Sequence, residues 1–376
     1  MSLLTGGALA LACLSAPAAG AAPASAARAP AWHVALRQAN LNITGVTAGS
    51  SSDAWAYGTG KLGGGKLLHW NGRRWVSVAY PQQNTYQIRA AFVLSATDVW
   101  FAGNNEAPPL PAEILHWRNG QWSWLAVPSF TNGADVDVLA DHDIWSVGGE
   151  LTGCATADPA GQGCTAVSHW NGSTWRSFPL RAVDTGSGVT FYGSSRTGAW
   201  AVGSSYLSHP GTSSQTSVEY AFHWNGTTWE REAAGVRSRA FAPLVVDARD
   251  NVWLAEPPHT APKACADHWN GTSWRAFSLP PGHGTCADAV TDYRSGFWTP
   301  HGPGDFRHEG AVGFWFQHWT GKSYPATPTY VPSKNGWNTD GFMIAAVPGS
   351  TRVWLYGDYC AVSRVCNNQG VIATLS

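Results

Sequence analysis

The sequence predicts an all-β fold, a seven-bladed β-propeller, and three observations carry this prediction. A polar turn followed by Trp in a short apolar run occurs seven times, at intervals of about 45 to 56 residues. A second motif, His-Trp-Asn-Gly-x-x-Trp or a close relative, follows each of the first six copies. Helical periodicity is absent, while glycine (42) and tryptophan (22) are abundant, which is typical of short strands joined by tight turns.

Each repeat accounts for four strands. The first motif centres on Trp55, Trp100, Trp145, Trp200, Trp253, Trp298 and Trp354, and the second begins at His69, His116, His169, His223, His268 and His318. An Asn-Gly pair such as Asn71-Gly72 favours a type I′ turn, because both central residues of that turn need positive φ, and so it predicts a tight hairpin. With a small-residue apolar strand before each first motif, such as Ile43–Ala48, one period has the content of a propeller blade.

The two ends of the chain predict how the ring closes. The last repeat supplies three strands, Phe342–Val347, Val353–Tyr356 and Gly370–Leu375, and lacks a fourth. The segment Trp32–Leu36 matches the fourth strand of other repeats, such as Trp75-Val-Ser-Val. An N-terminal strand that completes the last blade would hide its edges. We therefore predict that residues 27–376 form one propeller.

The repeats resemble those of a known family. Exported actinobacterial β-propeller proteins carry D-x-W-x-x-G and H-W-N-G-x-x-W repeats, related in style to kelch propellers, and the resemblance covers roughly Trp32 to Ser376. It implies the propeller architecture. It implies no catalytic residue, since such proteins are functionally uncharacterised.

The N-terminus predicts export. Leu3–Leu14 is apolar, too short to span a bilayer, and leads to Ala24-Ser25-Ala26, an A-x-A cleavage pattern. Residues 1–26 are therefore a predicted signal peptide and the protein is expected outside the cell. No Lys or Arg precedes the apolar run, so the signal is atypical or the start lies upstream. A lipoprotein anchored through Cys13 is a minor alternative.

Export makes disulfides the expected state of the remaining six cysteines, which are Cys154, Cys164, Cys265, Cys286, Cys360 and Cys366. Six cysteines allow fifteen connectivities, and pairing of sequence neighbours is the most economical. None of the spacings fits a zinc pattern such as CxxC.

Strand alternation divides the loops between two faces. The 1–2 turns and 3–4 hairpins, which are short and uniform, share one face, and the long, variable 2–3 and 4–1 loops share the other. All six cysteines map to the variable face. Variable loops on a rigid scaffold are where binding residues usually lie, although the cysteines could equally serve only to hold long loops in place.

The tryptophans mostly belong to the scaffold. Nineteen of the 22 occupy repeat positions, where packing between blades is expected. Trp337 lies off-register in a predicted 4–1 loop of the variable face and, with Tyr206, Phe306 and Tyr359, is the best candidate for ligand contact; loop packing is the alternative. The repeated histidines are predicted to be structural, with a hydrogen bond between blades, and the Asp of Asp-x-Trp is predicted to cap its turn.

Composition and motifs restrict the function classes. Charged residues make up 12% of the chain and the net charge is −1, so nucleic acid is not expected as a partner. GxSxG, HExxH and P-loop motifs are absent. The richest loop, His301–Glu309, offers His301, His308 and Glu309 for a metal or for acid–base chemistry.

The leading hypothesis is therefore a secreted, monomeric binding scaffold without a cofactor. It would bind an extracellular glycan or protein through the variable face. A secreted hydrolase or lyase with its site near the His301–Glu309 loop is the alternative, and a purely structural surface protein is the third hypothesis.

Overall fold

Short apolar runs bounded by Ser, Asp, Asn and Gly become β-strands throughout the computed structural model. It describes residues 32–61, 63–81, 86–104, 113–128, 135–151, 164–180, 188–195, 198–208, 215–232, 244–246, 252–255, 266–277, 290–291, 297–301, 313–320, 329–332, 337–338, 343–348, 350, 352–361 and 369–375. These belong to one compact unit, Ala31–Ser376. No helix among them has the length and apolar character needed to cross a membrane.

The described strands form seven antiparallel sheets, numbered here in chain order. Sheets 1 to 3 comprise β2 (Leu41–Ser50), β3 (Asp53–Gly60), β4 (Gly65–Trp70) and β5 (Trp75–Ser77); β6 (Gln87–Ser95), β7 (Asp98–Asn104), β8 (Glu113–Arg118) and β9 (Gln121–Ala126); and β10 (Asp135–Ala140), β11 (Asp143–Leu151), β12 (Cys164–Trp170) and β13 (Trp175–Pro179). Sheets 4 to 6 comprise β14 (Gly188–Ser195), β15 (Gly198–Ser208), β16 (Gln215–Trp224) and β17 (Trp229–Glu232); β18 (Leu244–Val246), β19 (Val252–Ala255), β20 (Ala266–Trp269) and β21 (Trp274–Phe277); and β22 (Val290–Thr291), β23 (Phe297–His301), β24 (Gly313–Trp319) and β25 (Thr329–Pro332). Sheet 7 comprises β26 (Trp337–Asn338), β27 (Met343–Ala346), β28 (Val353–Ala361), β29 (Gln369–Leu375) and β1 (Trp32–Ala39).

Sheet 7 joins the two ends of the described chain. Its strand β1 pairs antiparallel with β29, from Trp32 opposite Leu375 to Ala39 opposite Gln369. On the other side of β29, β28 extends past the predicted Val353–Tyr356, pairing with β27 near its start and with β26 near its end. Trp337 therefore lies in a short strand opposite Ala361, where the sequence predicted a loop.

The first strands of sheets 1 to 6 contact one another in succession, and β27 takes the same place in sheet 7. β2 contacts β6, β6 contacts β10, and the series continues through β14, β18, β22 and β27, which contacts β2 again. Sheets 1 and 7 are therefore neighbours, although they stand at opposite ends of the chain order.

Tryptophans fill the spaces between neighbouring sheets. Trp55 of sheet 1 is fully buried, and its ring centroid lies 5.1 Å from that of Trp117 in sheet 2. Trp200 of sheet 4 has the same relation to Trp269 of sheet 5, at 5.4 Å, and Trp354 of sheet 7 lies 5.1 Å from Trp70 of sheet 1. Edge-on contacts of this kind add to the stabilisation from burying large rings.

The Asn-Gly hairpins correct the turn prediction. Of the hairpin asparagines described, only Asn119 has positive φ (50°), as a type I′ turn requires, with Gly120 at φ 81°. Asn71 instead keeps negative φ, and its side-chain oxygen accepts the N–H groups of Arg73 and Arg74, each at 3.1 Å. The same contacts recur at Asn171, Asn225 and Asn270. In these four turns asparagine acts through its side chain, and the following glycine alone takes the left-handed conformation.

Two of these glycines give a matched prediction. Gly172 (φ 93°) and Gly226 (φ 94°) both need the left-handed conformation, so Ala at either position should cost about 1 kcal/mol. A Cβ on Gly172 would also lie 2.9 Å from the Cβ of His142, whereas none of the described residues lies within 4 Å of a Cβ on Gly226. We therefore expect Gly172→Ala to lower the free energy of unfolding in urea more than Gly226→Ala does; equal losses would contradict the contact with His142.

Candidate functional site

A histidine faces each first-motif tryptophan of sheets 1 to 6. The two residues are direct cross-strand partners in every case, which brings their rings together. The ring centroids of Trp100 and His116 are 3.8 Å apart with an interplanar angle of 7°, and those of Trp55 and His69 are 4.4 Å apart. The histidines therefore lie within the packing of the sheets, as the sequence predicted in general terms.

The hydrogen-bond partner of these histidines differs from the prediction. The Asp two residues before Trp lies on the same face of its strand, since side chains alternate. In sheets 1, 2 and 3 the His Nε2 lies within hydrogen-bond distance of an Asp Oδ1: His69–Asp53 at 2.7 Å, His116–Asp98 at 2.7 Å and His169–Asp143 at 2.9 Å. The bond thus stays inside one sheet, where a bond between blades was expected.

These aspartates bind a histidine, where the sequence predicted a turn cap. The β2–β3 turn is held by Ser50, whose hydroxyl oxygen accepts the Ser52 N–H at 3.2 Å, which leaves the Asp53 carboxylate to His69. Repeats 4 to 6 carry Gly198, Asn251 and Gly296 at the position of this Asp. The Asp–His pair therefore belongs to the first three repeats.

The most extensive polar cluster among the described residues joins sheets 2 and 3. Asp141, in the β10–β11 turn, accepts the indole N–H of Trp100 through Oδ1 at 3.2 Å. A guanidinium nitrogen of Arg118 lies 2.5 Å from Asp141 Oδ2 and 3.0 Å from Asp98 Oδ2. His116 Nε2 lies 3.8 Å from Asp141 Oδ1, beyond a hydrogen bond. Asp98 and His116 are buried, and Arg118 covers them from the surface.

Asp98, His116 and Asp141 offer a nitrogen and two oxygens within 4.8 Å of one another, which is a set of metal-ligand types. Arg118 already contacts both carboxylates, however, and supplies positive charge where a cation would have to sit. The ligating atoms are thus engaged with one another and with Arg118. We interpret the cluster as a closed ionic contact between sheets.

This cluster lies at the ends of the sheets that carry the short turns. Asp141 belongs to a 1–2 turn and Arg118 adjoins a 3–4 hairpin. The sequence placed the candidate ligand residues at the opposite ends. A comparison of repeats gives a signal that the sequence reasoning missed, because Asp141 stands where the preceding repeats have Ser51 and Ala96.

Four of the candidate site residues lie in described strands. Tyr206 is in β15 opposite Ser217, His301 ends β23 opposite Trp315, Tyr359 is in β28 opposite Gln369, and Trp337 is in β26. Phe306, His308 and Glu309 lie outside the described residues, as do residues 1–26, Cys154, Cys265, Cys286 and Cys366. Cys164 begins β12 and Cys360 lies in β28.

The backbone places these four residues at the same ends of their sheets. Tyr206, His301 and Tyr359 all lie in the carboxyl-terminal part of the second full strand of their sheets, where the 2–3 loops begin. Trp337 pairs with Ala361, two residues beyond Tyr359, so Trp337 and Tyr359 lie on adjacent strands. The four residues therefore share the loop ends that the sequence assigned to the variable face.

Comparisons with known proteins identify the fold. No protein-family model and no curated protein sequence matches the chain. Among solved structures it is similar to YCF48 bound to D1 peptide, with 12% identity, a TM-score of 0.50 and coverage of 94% of this chain and 98% of that one. It is also similar to the β-propeller domain of the trilobed protease from Pyrococcus furiosus, with 12% identity, a TM-score of 0.51 and coverage of 89% and 95%. The chain therefore has a β-propeller fold.

A third similarity shows the same architecture inside a larger protein. The chain matches the acylaminoacyl peptidase of Pyrococcus horikoshii with 11% identity and a TM-score of 0.50, covering 85% of this chain and 49% of that one. The Pyrococcus furiosus domain is described as having an open velcro topology, whereas here β1 pairs with β29.

Proposed function

We propose that this chain is an exported binding scaffold, built as a closed seven-bladed propeller, that engages an extracellular glycan or protein through its variable face. The seven sheets would be the blades. Contacts between successive first strands, which return from β27 to β2, support a closed ring, and so does the pairing of β1 with β29. Export through residues 1–26 and three disulfides complete the proposal.

The proposed binding function rests on one observation, that different kinds of side chain lie at the two ends of the sheets. At the short-turn ends, the repeated Trp, His and Asp side chains are engaged with one another, as in the cluster around Asp98. At the opposite ends, Tyr206, His301, Tyr359 and Trp337 come from three different sheets and belong to no repeat position. Residues that interrupt a repeat on a rigid scaffold are typical of a binding surface.

A polypeptide and a glycan both suit this proposal. The similar protein YCF48 was solved with a D1 peptide, which is consistent with a peptide ligand on a propeller. Aromatic residues such as Trp337 and Tyr359 are suited to contacts with sugar rings or with apolar side chains. For either partner, the proposal requires that residues of the variable face, and not one buried catalytic group, supply the binding affinity.

Substitution of Trp337 tests the binding surface. We expect Trp337→Ala to weaken binding of whichever partner is found in a glycan array or a screen of secreted proteins by about tenfold or more, since buried aromatic anchors dominate interface energies. Arg73→Ala is the control, because Arg73 is exposed in the β4–β5 hairpin turn of sheet 1. This turn lies at the short-turn ends of the sheets, away from the proposed binding surface. Equal affinity of wild type and Trp337→Ala would remove Trp337 from the site.

The hydrolase or lyase hypothesis makes a different prediction. An activity on glycosides or esters that His301→Ala abolishes, in a protein that still folds, would assign the function to the loop after β23. The scaffold proposal expects wild-type protein to be inactive on the same panel of substrates.

A further inference from the structure

Sheets 1 and 7 meet at a seam, defined here as the contact of β2 with β28 and β29. The chain passes directly from β1 of sheet 7 to β2 of sheet 1 through Asn40, whose φ is 57°. Leu41 and Ile43 of β2 share one buried cluster with Tyr356 of β28 and Ile372 of β29. The seam is therefore mainly apolar.

Packing at the seam is close. A Cβ on Gly370 of β29 would lie 2.9 Å from the carbonyl oxygen of Leu41 and 3.1 Å from Cδ1 of Ile43. Only glycine fits this position without movement of the backbone.

One carboxyl group nevertheless lies in the seam. Asp358 of β28, opposite Gly370, accepts the backbone N–H of Ile43 through Oδ1 at 3.1 Å. β2 is an edge strand of sheet 1, so an N–H on its free edge finds no acceptor within its own sheet. Asp358 supplies that acceptor from sheet 7, across the seam.

The surroundings of Asp358 disfavour its charged form. Burial raises the pKa of the Asp358 carboxyl to about 6, although the hydrogen bond from the Ile43 N–H pulls it downward. The titratable or charged residues nearest Asp358 along the adjoining strands are Arg37 of β1, Tyr57 of β3, and Tyr356, Tyr359 and Cys360 of β28. The same strands also carry His33, opposite Thr374 at the start of β1, and Asp53, opposite Ser50 at the start of β3. Burial, followed by the proximity of Tyr356, raises the pKa of Tyr57 above its ordinary value, so that hydroxyl stays neutral near pH 6. Asp358 is thus the group beside the Ile43 N–H whose charge changes in mildly acidic solution.

We propose that the contact between Asp358 and the Ile43 N–H is a pH-sensitive latch, which holds the seam most tightly in acid and loosens it at neutral pH. A protonated carboxyl still accepts the Ile43 N–H through its carbonyl oxygen and brings no charge into the apolar seam. The ionised carboxylate accepts the same bond but loses hydration, so it favours any opening that readmits water.

The direction in which pH changes the stability of the seam follows from proton binding to Asp358. The pKa is raised in the folded protein from its ordinary 3.8, so the closed seam binds the proton more tightly than the open or unfolded chain does. The extra stability is fully present below about pH 4, declines as the pH rises, and is lost above about pH 6. Since Asp358 is only half-buried, we expect about a tenfold change in the opening equilibrium over this range, less than the full shift implies.

Hydrogen–deuterium exchange of wild type and Asp358→Asn at pH 4.5 and pH 7.5 tests the latch. Asn keeps an oxygen acceptor for Ile43 and carries no charge at either pH. After correction for the chemical exchange rate, amides in 32–43 and 353–358 of wild type should open about tenfold more at pH 7.5 than at pH 4.5, relative to amides in 135–151 of sheet 3. In Asp358→Asn that ratio should stay constant, and its thermal midpoint should exceed that of wild type only at pH 7.5.

Parallel pH dependence in the two proteins would overturn the proposal. Asp358→Ala separates the hydrogen bond from the charge, because it lacks both: its seam should exchange faster than that of Asp358→Asn at both pH values. If Asp358→Asn does not fold, the wild-type protein alone still tests the proposal. An equal ratio of amide opening in the seam to amide opening in sheet 3 at pH 4.5 and pH 7.5 would contradict the latch.

Discussion

Trp55→Ala is expected to lower the free energy of unfolding by about 3–5 kcal/mol, the range for removal of a fully buried Trp. Trp55 is 0% exposed, and its ring contacts His69 in its own sheet and Phe101 and Trp117 in sheet 2. Truncation would leave a cavity between two sheets that strands cannot collapse to fill, since each is held in its ladder. Urea unfolding followed by far-ultraviolet circular dichroism measures the loss.

Trp55→Phe is the matched control for volume. The indole N–H of Trp55 is buried without a hydrogen-bond partner among the described residues, so Phe removes no hydrogen bond. We expect Trp55→Phe to cost less than half as much as Trp55→Ala. Val34→Ala, at a side chain that is 53% exposed, should change the stability by less than about 0.5 kcal/mol. If Trp55→Ala were as mild as Val34→Ala, the tryptophan would not hold the two sheets together.

The strands were predictable from the sequence because the same residue pattern recurs from repeat to repeat. The Asp and Trp of the first motif lie two residues apart on one strand, and the His of the second motif lies directly opposite that Trp in the ladder. Because side chains alternate along a strand, all three share one face of the sheet. The strand Trp32–Leu36, inferred from its likeness to Trp75-Val-Ser-Val, lies within β1 and pairs with β29. Repetition thus compensates for the weak signal of any single short strand.

The turn conformation was not predictable from Asn-Gly alone. Among the Asn-Gly hairpins that the structure describes, only the one flanked by Arg118 and Gln121 makes the two-residue loop, because those flanking residues form one further cross-strand pair. In the hairpins of sheets 1, 3, 4 and 5 the ladder stops at two tryptophans, such as Trp70 and Trp75, and four residues close the loop. Asparagine then stabilises the turn through its side chain, which a dipeptide rule does not anticipate.

The candidate binding residues show the opposite limit. Trp337 was singled out as a candidate because it falls outside the repeat, and its backbone pairs with β28 in a two-residue strand that no local pattern signals. Asp358 was missed for a related reason, since a single carboxylate in a strand has no meaning until the seam brings Ile43 to it. Contacts between distant repeats depend on how the sheets pack against one another, which no local sequence pattern shows.

The Asp–His pairs of sheets 1 and 2 permit a comparison in which only the surroundings differ. Both have Nε2–Oδ1 distances of 2.7 Å, but Asp98 also contacts Arg118, while Asp53 has no second ion-pair partner among the described residues. Removal of His69 therefore leaves a buried carboxylate without compensation, whereas removal of His116 leaves Asp98 beside a guanidinium. We expect His69→Ala to cost about 3 kcal/mol and His116→Ala about 1 kcal/mol less.

Double-mutant cycles separate the pair energies from the loss of packing, since both histidines stack on a tryptophan and Ala removes that contact in either sheet. The coupling between Asp53 and His69 should reach about 2 kcal/mol, and that between Asp98 and His116 should be smaller and should rise when Arg118 is replaced by Ala. Arg118→Ala alone should cost less than about 1 kcal/mol, because its side chain is 54% exposed and solvent screens its ion pairs. Equal couplings in the two sheets, unaffected by Arg118→Ala, would show that the arginine does not compensate Asp98. A partner bound at the opposite ends of the sheets should keep its affinity in every folded variant of this set, because these side chains act only within the scaffold that carries the loops.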